Sequence, residues 1–192
     1  MKPALVVVDL LNDTFDNHPD SYIVQASRAF IPRLGELIDA FHEANLPVIF
    51  ACDSFMPEDF IFKGKMKPHS LRGTHGAEVI AELNRRPEDH VVPKRRFSAF
   101  FKTDLDQTLR TRAVDTVMVT GIATPICVLT TALDALSHDF SAVIVEDCCA
   151  AHRPRDHEAV LAAYRKTPLH PLLRVLTSDE CMEMARRRCE RE

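Results

Sequence analysis

Thr116-Val117-Met118-Val119-Thr120-Gly121-Ile122-Ala123-Thr124-Pro125-Ile126-Cys127-Val128-Leu129-Thr130-Thr131-Ala132-Leu133-Asp134-Ala135 runs from an apolar stretch, through a glycine, into residues whose apolar members recur at helical spacing. An unbroken apolar run is what a parallel strand covered on both faces requires, and a strand turning at glycine into a helix is half of a β-α unit. The same kind of run recurs at Ala4 to Val8, Val48 to Cys52, His90 to Pro93, Ala142 to Glu146 and Leu173 to Leu176. Helical spacing fills the intervals: Phe30, Leu34, Leu37, Ile38 and Phe41, then Val79, Ile80 and Leu83, Leu105 and Leu109, and Ala159, Ala162 and Ala163. Each crossover helix must bury its apolar stripe on the sheet, so the expected fold is α/β, a Rossmann-like three-layer αβα sandwich around a mostly parallel six-stranded sheet. No interior stretch reads as a linker, which predicts one domain over residues 1–192.

The balance of charge, −4 over 192 residues, comes with no basic stripe beside aromatic side chains, which argues against a nucleic-acid partner. The opening apolar run, Ala4 to Val8, is too short for a signal peptide or a membrane span, so a cytoplasmic protein without a membrane partner is expected. Six cysteines stand without CxxC pairs or finger-like spacing, a pattern of free thiols rather than disulfides or zinc.

Ligands of a parallel sheet bind beyond the carboxyl ends of its strands, where strand order reverses. The polar residues there are Asp9 after the first run, Asp53 after the second, Lys94 after the third, and Gly121 to Cys127 after the fourth. Cys127 falls near the first turn of a helix, where N–H groups favour a thiolate and can hold a developing oxyanion. A carboxylate, an ammonium and a thiol thus arrive at one edge. Each also has a plain structural reading: a buried small hydrophobe for Cys127, a cap for Asp9, a solvated chain end for Lys94.

Val6-Val7-Val8-Asp9-Leu10-Leu11-Asn12-Asp13, Lys94-Arg95-Arg96-Phe97-Ser98-Ala99-Phe100 and Gly121 to Ala135 together resemble the isochorismatase-like cysteine hydrolases, the group of nicotinamidases, N-carbamoylsarcosine amidases and isochorismatases. Gly73-Thr74-His75-Gly76-Ala77-Glu78 and Val145-Glu146-Asp147-Cys148 resemble weaker signatures of the same family. The resemblance implies hydrolysis of a small amide through a thioester, with Asp9, Lys94 and Cys127 as a catalytic triad. It also implies a cis peptide between Ile122 and Ala123, an oxyanion hole from the N–H groups of Ala123 and Cys127, substrate contacts at Phe15, Asp53 and Ile122, and a homodimer or tetramer.

Two positions depart from the family pattern. Nicotinamidases hold a divalent metal through Asp-x-His after the second strand and a later histidine; here Asp53-Ser54-Phe55 is followed by His69, so no metal or other cofactor is expected unless Asp53 and His69 suffice. Leu11 and Thr14 replace the family's Gln and Phe, with Phe15 one step later. His75, His152 and His157 read as surface residues. Phe55, Phe60 and Phe62 sit in the longest irregular stretch, Ser54 to Thr74, and suit either a flat ligand or a subunit contact. Other functions remain open: vinyl ether hydrolysis of the isochorismatase type, a non-catalytic binding module on the same scaffold, or a redox-responsive thiol using Cys148 or Cys149.

Overall fold

Pro3–Val8 (β1), Val48–Asp53 (β2), His90–Lys94 (β3), Thr116–Ile122 (β4), Ser141–Ala150 (β5) and Leu173–Leu176 (β6) form one sheet in the order β3-β2-β1-β4-β5-β6. Every pairing is parallel. The coordinates are a computed structural model describing residues 1–189, with side chains through Arg187; residues 190–192 of the expected domain lie outside the described residues.

Both faces of β1 explain why its sequence does not alternate. Leu5 and Val7 enter one core with Phe30, Leu34, Leu37, Ile38 and Phe41 of α2 (Tyr22–Glu43) and with Cys181, Met182 and Ala185 of the C-terminal helix (Ser178–Cys189). Ala4, Val6 and Val8 enter the opposite core with Leu105 and Leu109 of α3 (Leu105–Thr111), Ala132 and Ala135 of α4 (Leu129–Ser137), and Leu161 of α5 (Pro154–Arg165). A strand buried on both sides is apolar at every position. The Ser178–Cys189 helix is α6, and a short α1 (Asn12–Asn17) follows β1. None of the helices among the described residues is long and apolar enough to cross a membrane.

Two readings of the sequence need correction. Val79 to Leu83 is not helical. Its backbone is taken up by neighbours instead: Ile80 N–H donates to Leu10 O, Asn12 N–H to Glu78 O, and Leu11 forms an antiparallel bridge with Val79. Three apolar residues within one turn's length do not outcompete such pairing. Secondly, Asp53 and Lys94 are the last residues of β2 and β3 rather than the first beyond them, and they stand opposite one another in register. The sheet therefore carries its charged residues inside its edge.

Strand order reverses between β1 and β4, because the chain first builds outward to β3 and then crosses back. The carboxyl ends of these two strands define the crevice where such sheets bind ligands. Gly121 makes their close approach possible. Its φ is +100°, and a Cβ there would stand 2.0 Å from Val8 O.

Candidate active site

Asp9 leaves β1 with a left-handed φ of +53°, a conformation a non-glycine residue adopts only when its surroundings hold it. Its N–H donates to Ala51 O at 3.0 Å, and its Oδ1 accepts the Asp53 N–H at 2.8 Å. These two bonds fix the carboxylate over the end of β2.

Lys94 is fully buried, and its Nζ lies 2.7 Å from Asp9 Oδ2, 2.5 Å from Asp53 Oδ1 and 3.7 Å from Cys127 Sγ. Burial alone would pull the ammonium down, but the charges of Asp9 and Asp53 outweigh it and hold Lys94 above its ordinary range. Asp53 responds oppositely. Burial first, and the Asp9 charge second, push its carboxyl up to about 7 against the pull of Lys94. Apart from its ionic contact with Lys94, Asp9 Oδ2 makes no aligned hydrogen bond among the described residues.

Cys127 arrives from the other side of the reversal. After β4 the peptide joining Ile122 to Ala123 is cis, and Thr124–Val128 forms a π-helical turn in which Val128 N–H donates to Ala123 O at 3.3 Å. That wide turn precedes α4 and leaves Cys127 7% exposed on the cavity wall. The sequence suggested that a helix terminus would lower the thiol's pKa. The site does the reverse: burial, then the Asp9 charge, push Cys127 well above its ordinary value, with Lys94 opposing. Burial and the Asp9 charge thus both favour the thiol over the thiolate.

A cavity of about 790 Å³ opens above these residues, lined at its base by Asp9, Asp53, Ile122, Ala123 and Cys127. Phe15, expected at the substrate, is not among its lining residues. It packs into the α2 core with Arg28 over its ring at 5.5 Å, and Thr14 lines the cavity in its place. Helical geometry accounts for the exchange, since neighbouring residues of α1 point about 100° apart. Phe55 is buried at the cavity edge and Phe60 is 73% exposed away from it.

The sequence alone does not reveal two partners. Asp53, expected to touch substrate, is the second counter-ion of Lys94; its register opposite Lys94 follows from parallel pairing once both are placed inside their strands. His157, read as a surface residue, is half-buried on α5, where its Nδ1 lies 2.8 Å from Oγ1 of the buried Thr124 and burial holds its pKa below the ordinary value. His152 is exposed and lines the cavity. Cys148 and Cys149 are buried, and burial raises both thiols, which removes the support for a redox role.

The metal implied for nicotinamidases does not fit these residues. Phe55 stands where a histidine ligand would be, and its ring meets His69 edge-on at 5.3 Å, with Phe62 closing a trio at 5.2 Å from Phe55. His69 Nδ1 is engaged by Lys67 O at 2.9 Å, and Asp53 is held by Lys94. Donor atoms of Asp9, Asp53 and Cys127 do lie within 4.8 Å of one another, yet the Lys94 ammonium contacts all three. The donor atoms that a metal would need there are already engaged by a buried ammonium.

The protein-family model of the isochorismatase domain matches residues 3–180. The chain belongs to the isochorismatase family. It is a hydrolase with amidases among its relatives. An isochorismatase family protein of Bacillus subtilis, YwoC, is 30% identical over 83% of this chain and 84% of its own. N-carbamoylsarcosine amidase of Thermoplasma acidophilum has a TM-score of 0.80 at 32% identity, over 93% of this chain and 98% of that one. Nicotinamidase PncA of Bacillus subtilis has a TM-score of 0.76 at 29% identity, over 92% and 99%.

Proposed function

We propose that this isochorismatase-family domain hydrolyses the C–N bond of a small amide by covalent catalysis at Cys127, and one observation carries the reading. A buried thiol, a buried ammonium and a carboxylate oxygen without an aligned hydrogen bond meet at the floor of a cavity of about 790 Å³. Asp9 Oδ2 takes the thiol proton as Cys127 Sγ attacks the amide carbon, and Lys94 balances the charge that develops on sulfur. The N–H groups of Ala123 and Cys127 hold the tetrahedral oxyanion. Asp9 returns its proton to the nitrogen, the C–N bond breaks, and ammonia or an amine leaves a thioester behind. Water then gives a proton to Asp9 and attacks the thioester carbon, the acid departs, and the Cys127 thiol re-forms with that proton.

N-carbamoylsarcosine amidase and nicotinamidase among the structural neighbours support an amide substrate. A vinyl ether reaction would leave Cys127 without a role. Among the described residues, five buried free cysteines support a reducing, cytoplasmic setting, and the exposed Phe60, Phe101 and Leu172 support self-association as a homodimer or tetramer.

The test is ammonia release from a panel of small amides, with Cys127→Ala alongside. We expect at least one substrate to be turned over by the native protein and none by the variant. Substantial residual turnover in Cys127→Ala would sink the covalent scheme.

A further inference from the structure

Cys127 and Thr124 are the two polar side chains of the turn Thr124–Val128. The proposed chemistry uses the first and leaves the second without a task. Thr124 is fully buried and stands outside the cavity lining, yet its Oγ1 lies 2.8 Å from Nδ1 of His157 on α5.

The downstream end of the turn is tied to α4, where Leu129 N–H reaches Ile126 O and Thr124 O, and Thr130 Oγ1 donates to Ile126 O at 2.6 Å. The upstream end bears Ala123, whose N–H is one of the two assigned to the oxyanion. Among the described residues, the Thr124–His157 contact is the single side-chain hydrogen bond between residues 122–124 and another element. Threonine is stiff about χ1, so holding its hydroxyl also holds its backbone, and with it the peptide that joins Thr124 to Ala123. His157 is anchored in turn. It lies in the first turn of α5, and Leu161, one turn further along the same face, is buried in the core beneath that helix.

We infer that His157 is a positioning residue for the reaction: by holding Thr124 it keeps the Ala123 N–H aimed at the oxygen of the bound amide. This rests on the amidase reading above and adds to it a residue outside the cavity lining.

The experiment removes the contact from each side, with Thr124→Val, which keeps the shape and loses the hydroxyl, and with His157→Leu. Each should lower kcat by roughly 10- to 100-fold, as a displaced oxyanion donor does. The double variant should be no slower than the slower single one, because both changes delete the same contact. Thr124→Ser and His157→Asn, whose amide places a polar atom where Nδ1 stands, should recover most of the rate. Alkylation of Cys127 by iodoacetamide develops no oxyanion, so it should stay within about twofold of native in every variant. Thermal melting checks that each variant is folded. Native kcat in a folded variant with a lowered melting temperature would make the contact structural only and overturn the inference. Alkylation that slows as much as turnover would also overturn it, since the thiol itself would then have moved. If no amide is cleaved, the amidase reading fails by itself, and acetaldehyde and benzaldehyde probe the turn instead. Their carbonyl carbon bonds the Cys127 sulfur while the thiol proton passes to Asp9, leaving an oxyanion at the same N–H groups. Aldehyde protection of Cys127 against iodoacetamide that weakens in Thr124→Val and His157→Leu would still support the positioning role; no protection, or equal protection in all variants, would overturn it.

Discussion

Asp9 has two separable effects on Cys127. Its charge raises the thiol's pKa, and in the proposed mechanism its Oδ2 accepts the thiol proton during attack. Asn keeps the shape, tolerates the left-handed φ of +53°, and removes both effects at once. Asp9→Asn should therefore lower amidase turnover by about 10²- to 10⁴-fold, the usual worth of a general base. The same substitution should speed alkylation of Cys127 by iodoacetamide near neutral pH, because deleting the nearby negative charge favours thiolate. The two rates moving in opposite directions is the signature. Slower alkylation, or turnover that survives, would show that Asp9 neither perturbs nor deprotonates the thiol.

At the scale of the element, the decisive contact is between β1 and β4. Alanine at Gly121 would place its Cβ 2.0 Å from Val8 O at a φ of +100°. Gly121→Ala should cost about 3 kcal/mol or more in urea unfolding, as strain and overpacking together do. It should also lower kcat, since the shifted strand end carries the turn that bears Cys127. The four inner strands are readable as apolar runs because both of their faces are buried, whereas the edge strands β3 and β6 are partly exposed. Their ends are less readable, because Asp53 and Lys94 look like loop residues until register pairs them. Val79 to Leu83 misleads because a few spaced apolar residues fit a helix as well as a covered loop. In the site, Asp9 and Lys94 are legible as charged residues at strand ends, and Cys127 as a thiol in the turn that follows β4. Phe15 is not, because which neighbour of a short helix faces the core depends on how the helix docks. His157 is also illegible, since its contact with Thr124 joins elements 33 positions apart.

Over the whole molecule, most ion pairs are exposed at one partner or both, such as Arg110 with Asp106 and Arg187 with Glu183, and such pairs change little in stability with pH. Asp53 is different. Its carboxyl is raised from 3.8 to about 7, so between those values the folded chain holds a proton that the unfolded chain has lost. Stability then falls as pH rises through that window, because the native state binds more protons there. Below the window the neutral carboxyl resembles an amide, so Asp53→Asn should match the native protein in acid. Above it the variant should be the more stable, by up to about 4 kcal/mol. Urea unfolding of both proteins from about pH 4 to pH 8 measures the difference directly and cancels every group they share. A widening gap in favour of the variant, together with reduced amidase turnover, would mean that Asp53 is retained at the expense of stability because Lys94 needs two counter-ions beside the thiol. A gap that stays flat would mean that the Asp53 proton is not shared across the site, and that Asp9 alone sets the charge around Lys94.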